Sequence, residues 1–172
     1  LESIVLTHQH DDHVAQLEPL LEAFEPAVYA AELAEVRQQA SADEEVAPRT
    51  GNQRTLQLED GDTVAIGGES FDVVETPGHA PDHLVFVGET AVFSGDIVVY
   101  SDGAFEDGSF GRTDLPGADR ETLIESLDRL LERVPPSVES LYPGHGPPFH
   151  GDVRSVIERA RERAARREPK YE

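Results

Sequence analysis

The sequence has no cysteine, no methionine and no tryptophan among its 172 residues. Without cysteine the chain cannot form a disulfide, and any metal site must use histidine and carboxylate ligands instead of thiolates. The sequence also has no apolar run of the ~18 residues that a membrane span needs, and its first residues lack the basic segment and apolar core of a secretory signal. We therefore expect a soluble protein with the cytoplasm as its location.

Basic residues are scarce as well, with 14 Lys and Arg against 35 Asp and Glu and a net charge of -21. Lys170 is the single lysine. An acidic, nearly lysine-free surface is typical of a high-salt cytoplasm, because the Debye length falls to about 3 Å at 1 M salt and self-repulsion is screened. We interpret the composition as halophilic, the alternative being an ordinary acidic protein. The charge also argues against nucleic acid as a partner, since phosphates are bound by Lys and Arg, and nothing indicates a membrane partner.

Short strands and helices alternate along the chain, and neither a repeat nor a linker divides it, so residues 1–172 are predicted to form one layered α/β domain. The predicted strands are residues 4–6, 27–29, 55–58, 63–66, 71–75, 84–87, 91–94 and 140–142. The predicted helices are residues 11–24, residues 31–40, a helix that includes residues 123–134 behind an N-cap at Asp119, and a terminal helix from 152 whose charged tail runs to 172. Residues 41–52 and 101–117 are predicted loops.

Histidine and aspartate cluster directly after the first predicted strand, as His8, His10, Asp12 and His13. Side chains alternate in an extended segment, so His8 and His10 point to one side and can share a metal ion. Asp12 and His13 lie where the strand turns into a helix, and they can face a second ion a few ångströms away. Imidazole and carboxylate ligands suit zinc, iron or manganese.

Three further candidate ligands, His79, Asp96 and His145, each follow a glycine near the end of a predicted strand. Strand ends are where layered α/β folds usually build their sites. The glycines permit tight turns that bring the backbone close to a metal centre.

Together these motifs resemble the metallo-β-lactamase superfamily. The matching features are His-x-His-x-Asp-His from His8 to His13, Pro-Gly-His at His79, Gly-Asp at Asp96 and Pro-Gly-His-Gly at His145. The resemblance implies an αββα sandwich with two metal ions. It further implies that His8, His10 and His79 bind the first ion, that Asp12, His13 and His145 bind the second, and that Asp96 bridges both.

Residues 111–117, with the sequence Gly-Arg-Thr-Asp-Leu-Pro-Gly, resemble a loop of the glyoxalase II-like and persulfide dioxygenase-like branch. The chain departs from this pattern at both ends. The first half of the superfamily fold does not precede the histidine motif, so we expect either a truncation or a misassigned start, and a chain that is poorly soluble or a homo-oligomer. The glutathione-binding domain of glyoxalase II does not follow, so a glutathione thioester is not implied.

Four residues outside the ligand set have two interpretations each. His83 either binds substrate or orients a ligand, or it packs in the core. Arg112, Thr113 and Asp114 either contact substrate or hold their own loop together. His150 lies outside the motifs and is interpreted as a surface residue.

Three functions follow from these residues, and the first is a binuclear zinc hydrolase acting on a small-molecule thioester such as a hydroxyacyl-thiol. Metal-bound hydroxide would attack the carbonyl carbon, and Asp12 or Asp96 would pass the proton to the leaving thiolate. The second is a mononuclear iron persulfide dioxygenase that binds iron through His8, His79 and Asp96. The third is a metal-binding protein without catalytic activity.

The acidic composition generates a prediction about salt. Because screening relieves repulsion that the folded state suffers more than the expanded chain, we expect the melting temperature to rise as KCl increases from low to molar concentration. Differential scanning calorimetry across that range measures the effect. A melting temperature that stays constant would contradict the halophilic interpretation.

Overall fold

Eleven strands and four helices are present in the computed structural model, which describes residues 1–31 and 55–168. The strands are β1 Ser3–Val5, β2 Ala27–Ala30, β3 Thr55–Gln57, β4 Thr63–Ile66, β5 Glu69–Glu75, β6 Leu84–Val87, β7 Ala91–Gly95, β8 Val98–Val99, β9 Ser109–Phe110, β10 Ser140–Pro143 and β11 Phe149–His150. The helices are α1 Asp11–Val14, α2 Leu17–Phe24, α3 Arg120–Arg133 and α4 Val153–Ala165.

The strands form two larger sheets and one small ribbon. Strands β1, β2 and β3 make a parallel sheet in that order. The second sheet has six strands in the order β11-β10-β7-β6-β5-β4, in which only the β10 and β7 pair is parallel. Strands β8 and β9 form an antiparallel ribbon.

Three apolar clusters show how these elements are layered. Leu127 of α3 and Ile157 of α4 pack with the six-stranded sheet on one of its faces. Phe86 from that sheet belongs to a second cluster, which Tyr29 of the three-stranded sheet contacts. Leu17 of α2 packs with the three-stranded sheet in the third cluster. The order of layers is therefore α, β, β, α, and the predicted mixed α/β sandwich is confirmed.

Local sequence explains where α3 begins and ends. The Asp119 carboxylate accepts a hydrogen bond from the Thr122 main-chain N–H at 2.8 Å, which satisfies a donor that the first turn leaves free. Pro135 and Pro136 follow the last residues of the helix and cannot continue it. The predicted cap at Asp119 is thus confirmed.

The predicted continuous helix over residues 11–24 is wrong, because the chain breaks it at Ala15 and Gln16 into α1 and α2. Pro19 falls in the first turn of α2, where its missing N–H leaves no hydrogen bond unmade. Sequence reasoning also missed β8, β9 and β11, which have two residues each. The predicted helix 31–40 and loop 41–52 lie outside the described residues, apart from residue 31.

None of the helices within the described part of the chain has the length and apolar character that crossing a membrane requires.

The buried interface between α3 and the six-stranded sheet generates a prediction about stability. Leu127 is fully buried there, so replacing it with alanine should lower the free energy of unfolding by about 2–5 kcal/mol. Urea denaturation in molar KCl measures the change. The matched control is Glu132→Ala on the exposed side of the same helix, which should stay within about 0.5 kcal/mol of wild type. Equal losses in the two variants would contradict this packing.

Candidate metal centre

All seven predicted ligands lie just beyond the carboxyl ends of strands or in the short helix that follows β1. His8 and His10 follow β1, and Asp12 and His13 belong to α1. The other three are His79 after β5, Asp96 after β7 and His145 after β10. The residues that follow strands of both sheets therefore lie together in one cluster.

The carboxylate of Asp96 lies at the centre of this group. Its Oδ2 atom is 3.4 Å from the Nε2 atom of His79 and 3.3 Å from that of His145. The Oδ1 atom of the same carboxylate is 3.4 Å from Nε2 of His13, and Oδ2 is 3.9 Å from Nε2 of His8. Four imidazole rings thus direct the same nitrogen at one carboxylate.

Two sets of three donor atoms lie on either side of Asp96, each with all its atoms within 4.8 Å of one another. One set is His8, His10 and His79, and the other is Asp12, His13 and His145. A third set, His8, His13 and Asp96, overlaps the first two. The first two sets are the groupings that the family resemblance implies, and the structure brings all seven predicted ligands together in one cluster.

The donor atoms themselves fit a cation. The Nε2 atoms of His8, His13 and His79 and the Oδ1 atom of Asp96 are buried without a hydrogen-bond partner among the described residues. Leaving a buried polar atom unpaired costs about 1–3 kcal/mol, so four in one cluster would be expensive without a bound ion. Each of these atoms has a lone pair that a metal ion can accept.

The orientation of His79 is fixed by the loop opposite. Its Nδ1 atom donates a hydrogen bond to the main-chain carbonyl of Arg112 at 2.9 Å. Since a carbonyl only accepts, the proton is on Nδ1, and the lone pair of Nε2 faces Asp96. Sequence reasoning missed this role, because it considered the side chain of Arg112 and not its carbonyl oxygen.

Burial and charge set the protonation states in the cluster. Burial holds the pKa of His8 and of His79 below the usual value, so both rings are neutral, as metal ligands must be. Burial acts in the same direction on His13, but the nearby Asp96 and Asp12 carboxylates outweigh it and raise the pKa of that ring. Burial alone would raise the pKa of Asp96, yet the nearby His13 ring holds it well below the usual range.

Two glycines let the loops approach this closely. A Cβ atom on Gly144 would collide with the Asp96 carboxylate and lie 2.6 Å from Cε1 of His13. A Cβ atom on Gly111 would collide with the Asp96 main-chain oxygen and lie 2.8 Å from Nδ1 of His79. Any side chain at either position would therefore displace the central carboxylate or a neighbouring ring.

The loop residues Arg112 and Asp114 form a bidentate ion pair with each other, at 2.9 and 2.7 Å. This pairing lowers the pKa of Asp114. Arg120 donates a hydrogen bond to Thr113 at 3.4 Å. The loop is therefore held by its own bonds, and Arg112 also lines the cleft that opens onto the cluster. His150 is exposed and lies away from the cluster, where its ring contacts Ser140.

A cleft of about 850 Å³ opens onto the cluster. The residues that line it include the polar His10, Asp12 and His145 and the apolar Leu115 and Pro116. A volume in this range accommodates a small-molecule substrate.

Comparison with known proteins agrees with the geometry. A family model described as the Metallo-beta-lactamase superfamily matches residues 1–168. The solved structure of TTHA1623 in a di-iron-bound form is 35% identical, with a TM-score of 0.66, and the match covers 92% of this chain and 75% of that one.

Two curated relatives have names that state an activity. The chain is 28% identical to the probable polyketide biosynthesis zinc-dependent hydrolase PksB of Bacillus subtilis (strain 168), over 84% of this chain and 56% of the relative. It is 38% identical to a hydroxyacylglutathione hydrolase of Francisella philomiragia, over 56% of this chain and 33% of the relative. The chain therefore spans about half the length of the first of these proteins and a third of the second.

The two donor sets generate a prediction about metal content. Purified protein dialysed against zinc should contain about two zinc ions per chain, with the zinc content measured by mass spectrometry. His8→Ala should remove the ion of the first set and His145→Ala the ion of the second, because His8 is absent from the second set and His145 is absent from the first. His150→Ala, which removes a histidine outside the cluster, should leave the content unchanged. A wild-type content of about one ion, unaffected by His145→Ala, would contradict two sites.

Proposed function

The chain belongs to the metallo-beta-lactamase superfamily, and on this premise we propose that it is a metal-dependent hydrolase that binds two zinc ions and cleaves a thioester. The observation that carries the proposal is the position of Asp96 between two complete donor sets. A site for one ion would need only one of these sets. The donor set of five imidazoles and two carboxylates suits zinc, iron or manganese, and the zinc-dependent hydrolase among the relatives favours zinc.

The first set would hold one ion and the second set the other, with the Asp96 carboxylate shared between them. When bound, such ions would lower the pKa of a bound water from ~15.7 towards ~7 and polarise a substrate carbonyl. The protein supplies the preorganised donors, since His8 and His79 are already neutral and their rings are held by neighbouring groups.

The two carboxylates have different environments and, we infer, different roles. Asp96 is buried and its lowered pKa keeps it ionised, which suits a bridging ligand and not a group that must carry a proton. The Asp12 side chain is 58% exposed and lies 3.0 Å from His145 at the cleft. Asp12 is therefore open to the cleft, and we assign it the transfer of a proton to the leaving group.

A thioester suits this site because a thiolate leaves readily and needs little assistance from a general acid. Leu115 and Pro116 line the cleft and offer apolar surface for the acyl or thiol chain. The hydroxyacylglutathione hydrolase among the relatives supports a hydroxyacyl-thiol as substrate. Since this chain covers only a third of that enzyme, glutathione itself is not part of the proposal.

Activity assays test the proposal. Zinc-loaded protein in molar KCl should cleave an S-lactoyl thiol without consuming oxygen. The reaction is measured by the release of free thiol. Asp96→Asn should reduce kcat/KM by ~10³-fold or more, because the amide is a poor bridging ligand. Asp128→Asn, an exposed carboxylate on α3 that pairs with Arg161, is the matched control and should retain wild-type activity.

Two results would contradict this function. Oxygen uptake with a low-molecular-weight persulfide by iron-loaded protein, without thioesterase activity in the zinc form, would instead support the dioxygenase. Tight binding of two ions with neither activity would support a binding protein.

A further inference from the structure

One histidine near the metal centre has no place in either donor set. His83 is 1% exposed, and its ring stacks on that of His8 with centroids 4.9 Å apart and an interplanar angle of 29°. It does not line the cleft. Both ring nitrogens are engaged within the protein, which excludes the substrate-binding role among its predicted alternatives.

The hydrogen bonds of His83 determine which ring nitrogen carries the proton. The main-chain N–H of Asp96 donates to Nε2 of His83 at 3.0 Å, and since an amide nitrogen can only donate, Nε2 carries no proton. The proton of the neutral ring is therefore on Nδ1, which donates to the Thr76 hydroxyl at 2.8 Å. The Thr76 hydroxyl in turn points its own hydrogen at the carbonyl of His83, at 3.5 Å. Thr76 thus sets the tautomer that lets His83 accept from Asp96.

The turn that carries Asp96 is built around this contact. Strand β7 ends at Gly95, whose φ of +50° places the next residue in a tight turn. A Cβ atom on Gly95 would lie 2.6 Å from Nε2 of His83 and 2.9 Å from Thr7. The Ser94 hydroxyl, before the turn, donates a hydrogen bond to the carbonyl of Val98, after it, at 2.7 Å. The main chain at Asp96 is therefore held against His83, and its carboxylate is directed away from it towards the ligands.

We propose that His83 is a positioning residue of the metal centre: its Nδ1-protonated ring, oriented by Thr76, holds the main chain of Asp96 so that the carboxylate lies between the two donor sets. The role rests on the metal binding of the proposed function and not on its thioester substrate. It acts through Asp96 and, by stacking, through His8. Groups that orient a metal ligand typically contribute 10–100-fold to metal affinity.

Two variants separate the hydrogen bond from simple packing. His83→Gln can place its amide oxygen near the position of Nε2 and accept from the Asp96 N–H. His83→Leu fills a similar volume but cannot accept. A second pair tests the tautomer, because Thr76→Val removes the acceptor of the Nδ1 proton and Thr76→Ser keeps it.

The readouts are the zinc dissociation constants, from competition with a chromophoric chelator in molar KCl, and the visible absorption spectrum of the cobalt-substituted protein. For His83→Leu we expect the dissociation constant of the more weakly held ion to rise 10–100-fold and the cobalt spectrum to change. His83→Gln should stay within about threefold of wild type and keep its spectrum. Thr76→Val should behave like the leucine variant, and Thr76→Ser like wild type.

The outcomes that overturn the role are specific. Wild-type affinity and spectrum in His83→Leu, or equal losses in the leucine and glutamine variants, would show that the acceptor does not matter. If His83→Leu fails to fold in the metal-free state by circular dichroism, the threonine pair decides by the same criterion. Wild-type protein that binds no zinc would overturn the proposed function and the role of His83 together. The outcomes above, in which the wild type binds zinc, would overturn the role of His83 alone.

Discussion

A buried carboxylate faced by four imidazole rings is the interaction on which the rest of the site depends. Asp96 is ionised, yet burial keeps His8 and His79 neutral, so those rings cannot balance its charge. His13 can do so only in part, because it also faces Asp12. A buried, uncompensated charge is costly, and the unpaired donor atoms add to that cost. A pair of bound cations would remove both penalties, which explains why so many polar atoms converge here.

The sandwich brings the donors together because both sheets end at the same place. The loop that leads from β8 towards β9 forms part of the cleft and is fixed from outside by the terminal helix. Arg163 of α4 donates to the carbonyl of Glu106 at 2.8 Å and lies over the ring of Phe105 at 4.7 Å. The outer helical layer thus supports the wall of the cleft and not only the core.

Sequence reasoning located the donors because strand ends and His-rich spacing are local signals. The cap at Asp119 was a local signal as well, whereas the αββα order was implied by the resemblance of these motifs to the metallo-β-lactamase superfamily. It could not find the break at Ala15 and Gln16, since apolar periodicity continues across it. It also left the role of His83 open, because its acceptor contact joins residues 13 positions apart through a turn that only the folded chain defines. The contact between the carbonyl of Arg112 and His79 was not predicted for the same reason, because main-chain groups carry no residue-specific signal.

The central claim is that two ions share Asp96, and a crystal structure of the zinc-loaded protein, collected at the zinc absorption edge, tests it most directly. The account predicts two anomalous peaks about 3.5–4 Å apart. One should lie against His8, His10 and His79, the other against Asp12, His13 and His145, with the Asp96 carboxylate contacting both. A single peak, or two peaks of which only one contacts Asp96, would contradict it.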